Sequence, residues 1–403
     1  MPNDYNKYQP YTGFFTRDSN TGNSQDLGQR YVTKSYLLDV YPNIVSQLGN
    51  RTSPGLFAWG EATQGVLGLV DVTNRSSPVQ VGTLTNWKQI DAGFDHAACV
   101  KTDGTLWTWG SGFNGQRGSG NQSTVSSPVQ VGSLTDWKQV SCGYYHTACV
   151  KTDGTLWTWG EGGPLGLGDT ITRSSPVQVG SLTNWKQVAG SQGFTACVKT
   201  DGTLWTWGLN TSGQLGLGDT TYRSSPVQVG TLTNWKQVSC GETYTHCVKT
   251  DGTLWAMGFN GNGSLGNSST ISRSSPVQVG SLTNWKQVTG GKSHTACVKT
   301  DGTLWTWGTN GSGQLGYAAA TTNSPLQVGS LTNWKQASAG ATYTACIKTD
   351  GTLWTWGGNT DGQLGLGNTT AISSPVQMGT LTNWKQVSAN DDDHTFAILD
   401  STF

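Results

Sequence analysis

Charged residues are scarce in this chain of 403 residues, and neither sign of charge is in excess. Lysine plus arginine number 24, as do aspartate plus glutamate, so the formal net charge is zero. Charged residues make up 12% of the chain, about half of the usual ~25%. Without a basic excess, the chain lacks the electrostatic footprint of nucleic-acid-binding proteins and of proteins that dock on anionic lipid. We therefore expect no nucleic-acid partner.

Long apolar runs are missing as well. No run approaches the ~20 residues of a membrane-spanning helix, so we expect no membrane insertion. The first ten residues, MPNDYNKYQP, contain no apolar stretch of the kind found in secretory signals. The eight cysteines include no Cys-x-x-Cys pair, which argues against a zinc site. Neither a metal nor a cofactor is predicted.

Glycine and tryptophan, in contrast, are abundant, with 56 and 19 copies. Seven tryptophans lie in the tetrapeptide Asn/Asp-Trp-Lys-Gln, and eleven lie in six copies of Thr-Leu-Trp-Thr-Trp-Gly, the fourth of which carries Met257 in its second slot. Trp59 is the remaining one. A Ser-Pro-Val/Leu-Gln proline recurs every 48 to 50 residues, which defines seven units. The prolines are Pro78, Pro128, Pro176, Pro226, Pro276, Pro325 and Pro375.

Each unit is predicted to form four short strands. The run His146-Thr-Ala-Cys-Val-Lys151 is followed by Thr-Asp-Gly and then by Thr155-Leu-Trp-Thr-Trp159, a pattern typical of a β-hairpin. Asp136-Trp-Lys-Gln-Val140 supplies a strand before the hairpin, and Ser-Pro-Val-Gln-Val supplies one after it. Four strands per unit predict an all-β propeller of seven four-stranded blades, because no helical period is present.

The two ends of the repeat region complement each other. The first copy begins late, at Gly55-Leu-Phe-Ala-Trp-Gly60, and the last copy stops after His394-Thr-Phe-Ala-Ile-Leu399. One composite blade built from both ends would close the ring and leave no lone sheet edge. We therefore predict a propeller over 55–403, preceded by an N-terminal arm over 1–54.

No catalytic residue is predicted. Six cysteines share one slot of the repeat, so we interpret them as buried thiols packed between blades, with a Cys142–Cys149 or Cys240–Cys247 pair as the alternative. His96, His146, His294 and His394 share a slot that holds Phe194, Tyr244 and Tyr343 in the other units. A slot that accepts all three ring types favours a structural ring over an acid–base group, so we expect a non-enzymatic protein.

The repeat closely resembles the regulator-of-chromosome-condensation repeat. The resemblance rests on strings such as CGYYHTACVKTDGTLWTWG at 142–160 and WGLNTSGQLGLG at 207–218, and it covers about 350 residues. It implies a seven-bladed propeller, in agreement with the count above, and a rigid binding disc. Family members include an exchange factor for a nuclear GTPase, a plant ultraviolet-B photoreceptor and a bacterial β-lactamase inhibitor. The regular spacing leaves no room for the exchange factor's inserted wedge, and the photoreceptor's Gly-Trp-Arg-His-Thr motifs are absent.

Two sets of loops differ between otherwise similar units, and scaffolds commonly bind partners through such loops. One set precedes the histidine slot, and the other follows Trp-Gly and includes Glu61, Phe113, Glu161, Phe259 and Asp361. Drift in exposed loops is the alternative explanation, and the run of three aspartates at 391–393 favours a solvated loop over a cation site. The predicted partner-binding face comprises Phe94, Asp95, Tyr144, Tyr145, Glu242, Lys292, Asp391, Asp392 and Asp393.

The arm holds six of the twelve tyrosines, more aromatic residues than a disordered tail usually carries. Helix-like spacing between about 26 and 41, ended by Pro42, predicts a short helix. The segment VTKSYLLDVYP at 32–42 is similar to leaders that precede such repeats in phage-encoded proteins. The predicted docking residues are Tyr5, Tyr8, Tyr11, Phe14, Phe15, Tyr31, Tyr36, Leu37, Val40 and Tyr41.

Together these features predict a non-enzymatic propeller that binds or displays protein. The leading hypothesis is a structural component of a phage virion, made in the host cytoplasm, which decorates the capsid or tail or attaches to the host. In that hypothesis the arm binds the other subunits of a larger assembly, and the propeller loops bind a host surface component. The alternative is a soluble cytoplasmic binder that regulates a GTPase or inhibits an enzyme.

Overall fold

The structure is a computed structural model, and it describes residues 54–318 and 320–400. Regular structure in these ranges consists of strands and two turns of 3-10 helix, at Thr63–Gly65 and Gly163–Leu165, without an α-helix. The strands are β1 (Gly55–Gly60) and β2 (Arg75–Gln80); in blade 1, β3 (Trp87–Ala92), β4 (His96–Lys101), β5 (Leu106–Gly110) and β6 (Val125–Gln130); in blade 2, β7 (Trp137–Cys142), β8 (His146–Lys151), β9 (Leu156–Gly160) and β10 (Arg173–Gln178); in blade 3, β11 (Trp185–Gly190), β12 (Phe194–Lys199), β13 (Leu204–Gly208) and β14 (Arg223–Gln228); in blade 4, β15 (Trp235–Cys240), β16 (Tyr244–Lys249), β17 (Leu254–Gly258) and β18 (Arg273–Gln278); in blade 5, β19 (Trp285–Gly290), β20 (His294–Lys299), β21 (Leu304–Gly308) and β22 (Thr322–Gln327); in blade 6, β23 (Trp334–Ala339), β24 (Tyr343–Lys348), β25 (Leu353–Gly357) and β26 (Ile372–Gln377); and finally β27 (Trp384–Ala389) and β28 (His394–Leu399).

Each blade is a sheet of four antiparallel strands. The strands that begin with Trp-Lys-Gln are innermost, because those of neighbouring blades contact one another around the ring. The strands that contain Ser-Pro form the outer edges, where a proline interrupts no ladder on its free side. This arrangement confirms the predicted seven-bladed propeller.

The Asp-Gly hairpin turn is fixed by one carboxylate and one glycine. In blade 2, Asp153 Oδ1 accepts hydrogen bonds from the backbone N–H of Thr155 at 2.9 Å and from its hydroxyl at 2.7 Å. Gly154 has φ of +80°, and a Cβ there would lie 2.0 Å from the carbonyl oxygen of Thr183. The turn therefore requires glycine, both for its backbone angle and for the close approach of the next chain segment.

The ring closes within a composite blade, as predicted. Blade 7 has the order β2–β1–β28–β27, with β1 and β28 paired from Gly55 opposite Leu399 to Gly60 opposite His394. The last strand of the chain thus supplies the partner that the first strand lacks. Closure therefore pairs β1 and β28 on both sides and leaves neither as a free sheet edge.

A glutamine in each inner strand joins that blade to the next. The side-chain amide of Gln89 donates to the carbonyl oxygen of Val140 at 2.8 Å, and its oxygen accepts from the N–H of Val140 at 3.0 Å. The same two-way bridge recurs around the ring and ends with Gln386, which pairs with Ile90 across the closure. The bridging residues are Gln89, Gln139, Gln187, Gln237, Gln287, Gln336 and Gln386.

The repeated tryptophans build the interfaces between strands and blades. In blade 2, Trp137 packs edge-on against Trp157 and Trp159 with ring centroids 6.3 and 6.0 Å apart. The ammonium group of the buried Lys151 lies 4.5 Å from the Trp157 ring centroid, a cation–π contact. Trp159 Nε1 donates to the carbonyl oxygen of Gln116 in blade 1 at 2.9 Å. The tryptophan count therefore reflects architecture.

Candidate partner-binding face

Seven loops that join the innermost strand of each blade to the second strand lie at one end of the axial channel. These channel-mouth loops are 93–95, 143–145, 191–193, 241–243, 291–293, 340–342 and 390–393. Backbone hydrogen bonds connect neighbouring loops: the N–H of Tyr144 donates to Ser191, that of Lys292 to Gly340, and that of Ala341 to Asn390. The loops are thus held against one another, and the side chains they carry are presented on a rigid support.

An aromatic cluster occupies one side of the mouth. The Phe94 ring lies 4.9 Å from that of Tyr144 and 5.8 Å from that of Tyr145, centroid to centroid. Tyr144 extends over the channel, and its hydroxyl donates to Glu242 Oε1 of blade 4 at 3.2 Å. The structure brings these predicted residues together, but Tyr144 is only 8% exposed. Phe94 and Tyr145 are half-buried and supply the accessible part of the cluster.

Carboxylates surround the aromatic cluster. Asp391, Asp392 and Asp393 are each half-buried, so the solvated loop predicted here is only partly exposed to solvent. The loop instead folds against the mouth, where the N–H of Asp392 and that of His394 donate to Asn390 Oδ1. Burial, together with the charge of Glu242, raises the pKa of Asp391 to about 7.

The remaining carboxylates extend this acidic region outward. Burial, followed by the charges of Glu61 and Asp393, raises the pKa of Asp392 to about 8. Burial also raises the pKa of Asp95, whose Oδ1 accepts a hydrogen bond from Gln116. Lys292, which is exposed, is the one lysine or arginine in the channel-mouth loops. The mouth is therefore acidic although the whole chain is neutral.

A cavity of about 150 Å³ continues from the mouth into the channel. Its wall includes Phe94, Tyr144 and Asp391 at the mouth, and the hydroxyls of several serines below them. Asp91 lies in this wall and accepts hydrogen bonds from Ser141 Oγ at 3.0 Å and from the N–H of Cys142 at 2.8 Å. Burial raises the pKa of Asp91 to about 6.

Asp91 is the site residue that sequence reasoning missed. It sits inside a strand, and no motif marks it. Alignment of the units would have shown it, because the other six units place Ser, Ala or Thr in its slot. The predicted Glu242 and Lys292 lie on the same mouth as the aromatic cluster, and the second loop set adds Phe113, which is 61% exposed.

The cysteines and histidines near this site pack inside the propeller. All eight cysteines are free thiols, so neither of the two alternative pairs is formed. Burial raises the pKa of Cys149 and lowers that of His146 to about 3. The fully buried His146 shares a 2.9 Å hydrogen bond with the hydroxyl of Thr195 in the next blade. Burial and this inter-blade hydrogen bond are consistent with a structural role for the histidine slot, and no group of three potential metal ligands occurs in the described ranges.

The predicted docking arm falls outside the described residues. This applies to its short helix and to Tyr5, Tyr8, Tyr11, Phe14, Phe15, Tyr31, Tyr36, Leu37, Val40 and Tyr41. Across 54–318 and 320–400, no helix has the length and apolar character needed to cross a membrane.

Comparison with known protein families shows to which family a chain with this arrangement belongs. The RCC1-like domain family matches residues 48–289, and the regulator of chromosome condensation (RCC1) repeat matches residues 301–347 and 350–398. The chain belongs to the RCC1-like domain family. Its RCC1-like character thus extends over both halves of the ring.

Solved RCC1-like structures have the same fold. Prp20p from Saccharomyces cerevisiae superposes with a TM-score of 0.77 at 16% identity, over 87% of this chain and 92% of that chain. Human WBSCR16 gives 0.77 at 20% identity, over 87% and 100%. Yeast RCC1 (Prp20) bound to Kap60 gives 0.78 at 16% identity, over 96% and 97%. At such identities the likeness establishes the fold alone, and no curated protein sequence matches the chain.

Proposed function

We propose that this chain is a non-enzymatic, protein-binding propeller that regulates its partner and binds it through the channel-mouth loops. The observation that carries the proposal is the convergence of Phe94, Tyr144 and Tyr145 with Glu242 and Asp391 on one rigid end of the disc. Aromatic side chains are enriched among the residues that dominate protein interfaces, and a polar rim commonly surrounds them. The strands below them repeat, whereas the loops differ from blade to blade.

The comparisons support this regulatory alternative better than a virion component. The fold is shared with Prp20p, whose structure is described together with its binding to Gsp1p and histones, and with yeast RCC1 bound to Kap60. A regulator of a small GTPase is therefore the first specific candidate, and an enzyme inhibitor is the second. We place such a regulator in the cytoplasm.

Binding, rather than catalysis, is what the described side chains favour. The five histidines and seven of the eight cysteines are buried, and burial shifts pKa values such as those of His146, His294, Cys149 and Cys297 away from neutrality. The carboxylates at the mouth belong to one acidic region and do not form a separated acid–base pair.

We further propose that residues 1–54 form a separate docking arm and that residues 55–403 form the propeller. The virion role, as capsid or tail decoration or in host attachment, rests on this arm and on the weak leader similarity. No feature of the propeller or of its relatives supports that role, so it stays a prediction. Deletion of 1–54 should leave partner binding by the mouth unchanged if the regulatory proposal is right.

A site-specific photo-crosslinker tests the proposed function. Placed at Tyr145 in the mouth of the full chain, in the cell that naturally makes the protein, it should capture a discrete partner. The matched control places the crosslinker at Lys138, which is exposed at the opposite end of an inner strand. Equal capture from both positions, or capture from Lys138 alone, would contradict the proposal. Nucleotide-exchange assays with the captured partner then separate GTPase regulation from inhibition.

A further inference from the structure

We infer that the channel mouth binds a basic, extended protein segment, with one lysine or arginine side chain of that segment seated in the axial cavity beside Phe94 and Tyr144. The inference rests on the proposed function, because it names the class of partner that the mouth would take. Cavity size, wall chemistry, aromatic geometry and charge each contribute to it independently.

The cavity suits a single side chain with a cationic end. Its volume of about 150 Å³ is below the roughly 300–1,000 Å³ of small-molecule pockets. Among the described residues of its wall, the charged ones are Asp91 and Asp391, both acidic. Hydroxyl groups of Ser141, Ser239 and other wall residues could accept the remaining hydrogen bonds of an ammonium or guanidinium group.

The aromatic cluster offers ring faces at the cavity entrance. Phe94 and Tyr144 are tilted 31° to each other at 4.9 Å, and both line the cavity. A cation within about 6 Å of such a ring is stabilised by the ring quadrupole. The propeller uses the same pairing in its interior, where the ammonium of Lys348 lies 3.5 Å from the Trp354 ring centroid and that of Lys199 lies 3.7 Å from Trp205.

Among the described residues, the mouth carboxylates form no close ion pair with lysine or arginine, and Lys292 acts on Asp391 and Asp393 only through its charge at longer range. On the outer loops, Asp71, Asp169 and Asp219 each pair with an arginine at 2.6 to 2.7 Å. In the part of the chain that the structure describes, no lysine or arginine pairs with a mouth carboxylate within 4.0 Å. Asp95 contacts His96 at 3.9 Å, but burial lowers the pKa of that histidine to about 3, so it carries no charge near neutral pH. A basic partner would supply the missing charge, and opposite charges across an interface also accelerate association. These carboxylates are Asp95, Glu242, Asp391, Asp392 and Asp393.

Tyr144 regulates entry to the cavity. Its hydroxyl donates a hydrogen bond to Glu242 at 3.2 Å. The ring therefore spans the mouth, and the carboxylate of Glu242 is already hydrogen-bonded within the protein. A cation that enters must compete for Glu242. Removal of the hydroxyl while the ring is kept should therefore strengthen binding, whereas removal of the ring should weaken it.

The test uses the full chain and a fluorescein-labelled nona-lysine peptide, with nona-glutamate as the control for charge sign. Fluorescence anisotropy should show binding of nona-lysine that weakens as salt rises from about 50 to 200 mM. The double variant Glu242→Gln/Asp391→Asn should lose about tenfold or more in affinity. The matched control, Asp251→Asn/Asp301→Asn, makes the same change of charge on exposed hairpin turns at the opposite end of the strands and should change affinity less than about twofold.

Two further variants separate cavity binding from general attraction to an acidic surface. Phe94→Leu keeps an apolar side chain but removes the ring and should weaken binding about two- to fivefold. Tyr144→Phe should bind more tightly than the unmodified chain, and Tyr144→Leu should bind more weakly. Equal affinities among these variants would overturn the seating of a side chain in the cavity. Matching melting temperatures establish that each variant is folded.

The outcomes also separate this inference from the proposed function. If nona-lysine does not bind, or if the hairpin-turn control loses as much affinity as the mouth variant, the basic-partner inference is wrong. Capture of a partner by the crosslinker at Tyr145 would still support the proposed function in that case. If capture occurs only at Lys138, the proposed function itself fails, whatever the peptide does.

Discussion

At the residue scale, five histidines lie inside the propeller with 0% exposure, and burial lowers the pKa of each to about 3. Unfolded histidine titrates near 6.5, so the unfolded chain binds more protons between these values, and stability is lost as the pH falls from 6.5 toward 3. Asp392 acts in the opposite direction. Its pKa is raised to about 8, so the folded protein holds this proton more tightly than the unfolded chain does. The resulting stabilisation is fully present below pH 3.8 and is lost as the pH rises through about 8. Stability should therefore be greatest near neutral pH.

The His146→Phe substitution isolates one of these histidines. Phe194 fills the equivalent slot in blade 3, so a phenyl ring is compatible with the site. At pH 7.5 the variant should be less stable by about 1 kcal/mol, because the hydrogen bond to Thr195 is lost. At pH 5 the protonation penalty of His146, about 2 kcal/mol, is removed, and the variant should be the more stable protein. Urea unfolding at both pH values checks this reversal, and a constant difference would contradict it.

At the scale of the element, blade 4 departs from the other blades in its tryptophan slot. Gln116 O in blade 1 accepts hydrogen bonds from both Trp159 Nε1 and the hydroxyl of Thr147. The equivalent Gln214 O accepts from Thr245, whereas the tryptophan position is occupied by Met257, which has no N–H to donate. Met257 packs against Ala196 and Leu204. Their counterparts in the preceding blade, Ala148 and Leu156, pack against Trp207 in the same way. The slot is thus formed around a side chain smaller than the one it usually holds.

Met257→Trp should therefore stabilise the protein by about 1–2 kcal/mol, through one added hydrogen bond and additional buried apolar surface. The reverse change in an intact blade, Trp159→Met, should destabilise it by at least as much, because the bond to Gln116 is lost. Differential scanning calorimetry on both variants checks the pair. A lower melting temperature for Met257→Trp would mean that the slot has closed around methionine and that tryptophan overpacks it.

At the scale of the whole molecule, the strands, the hairpins and the closure of the ring were predictable because every blade is encoded by a local unit of 48 to 50 residues. The repeat also predicted that the loops before the histidine slot form one partner-binding face. It could not show that Tyr144 reaches Glu242, because that contact joins blades that are not neighbours and depends on the width of the channel. Asp91 was detectable, because alignment of the units shows a carboxylate where the others have Ser, Ala or Thr, but its place at the channel was not. Its role comes from facing the axis, and the local pattern of its strand is unremarkable apart from the carboxylate.

Closure by noncovalent pairing makes one part of the ring the expected site of first opening. Gln386 in β27 bridges to Ile90 in β3 at 2.9 and 3.2 Å, which joins the two chain ends across the seam where β28 pairs with β1. Gln187 makes the equivalent bridge to Val238 at 3.0 and 3.2 Å between blades 3 and 4, away from that seam. Replacement of either glutamine by leucine should lower the free energy of unfolding by about 1–3 kcal/mol, because a buried N–H and a carbonyl lose their partners.

Only Gln386→Leu should selectively accelerate amide exchange in β1 and β28, by about tenfold or more, because these strands separate when the ring opens. Hydrogen–deuterium exchange with mass spectrometry under native conditions distinguishes the two variants at similar global stability. If both variants gave the same exchange pattern, the ring would open without preference for the closure. The composite blade would then be as strongly joined as the covalently linked ones.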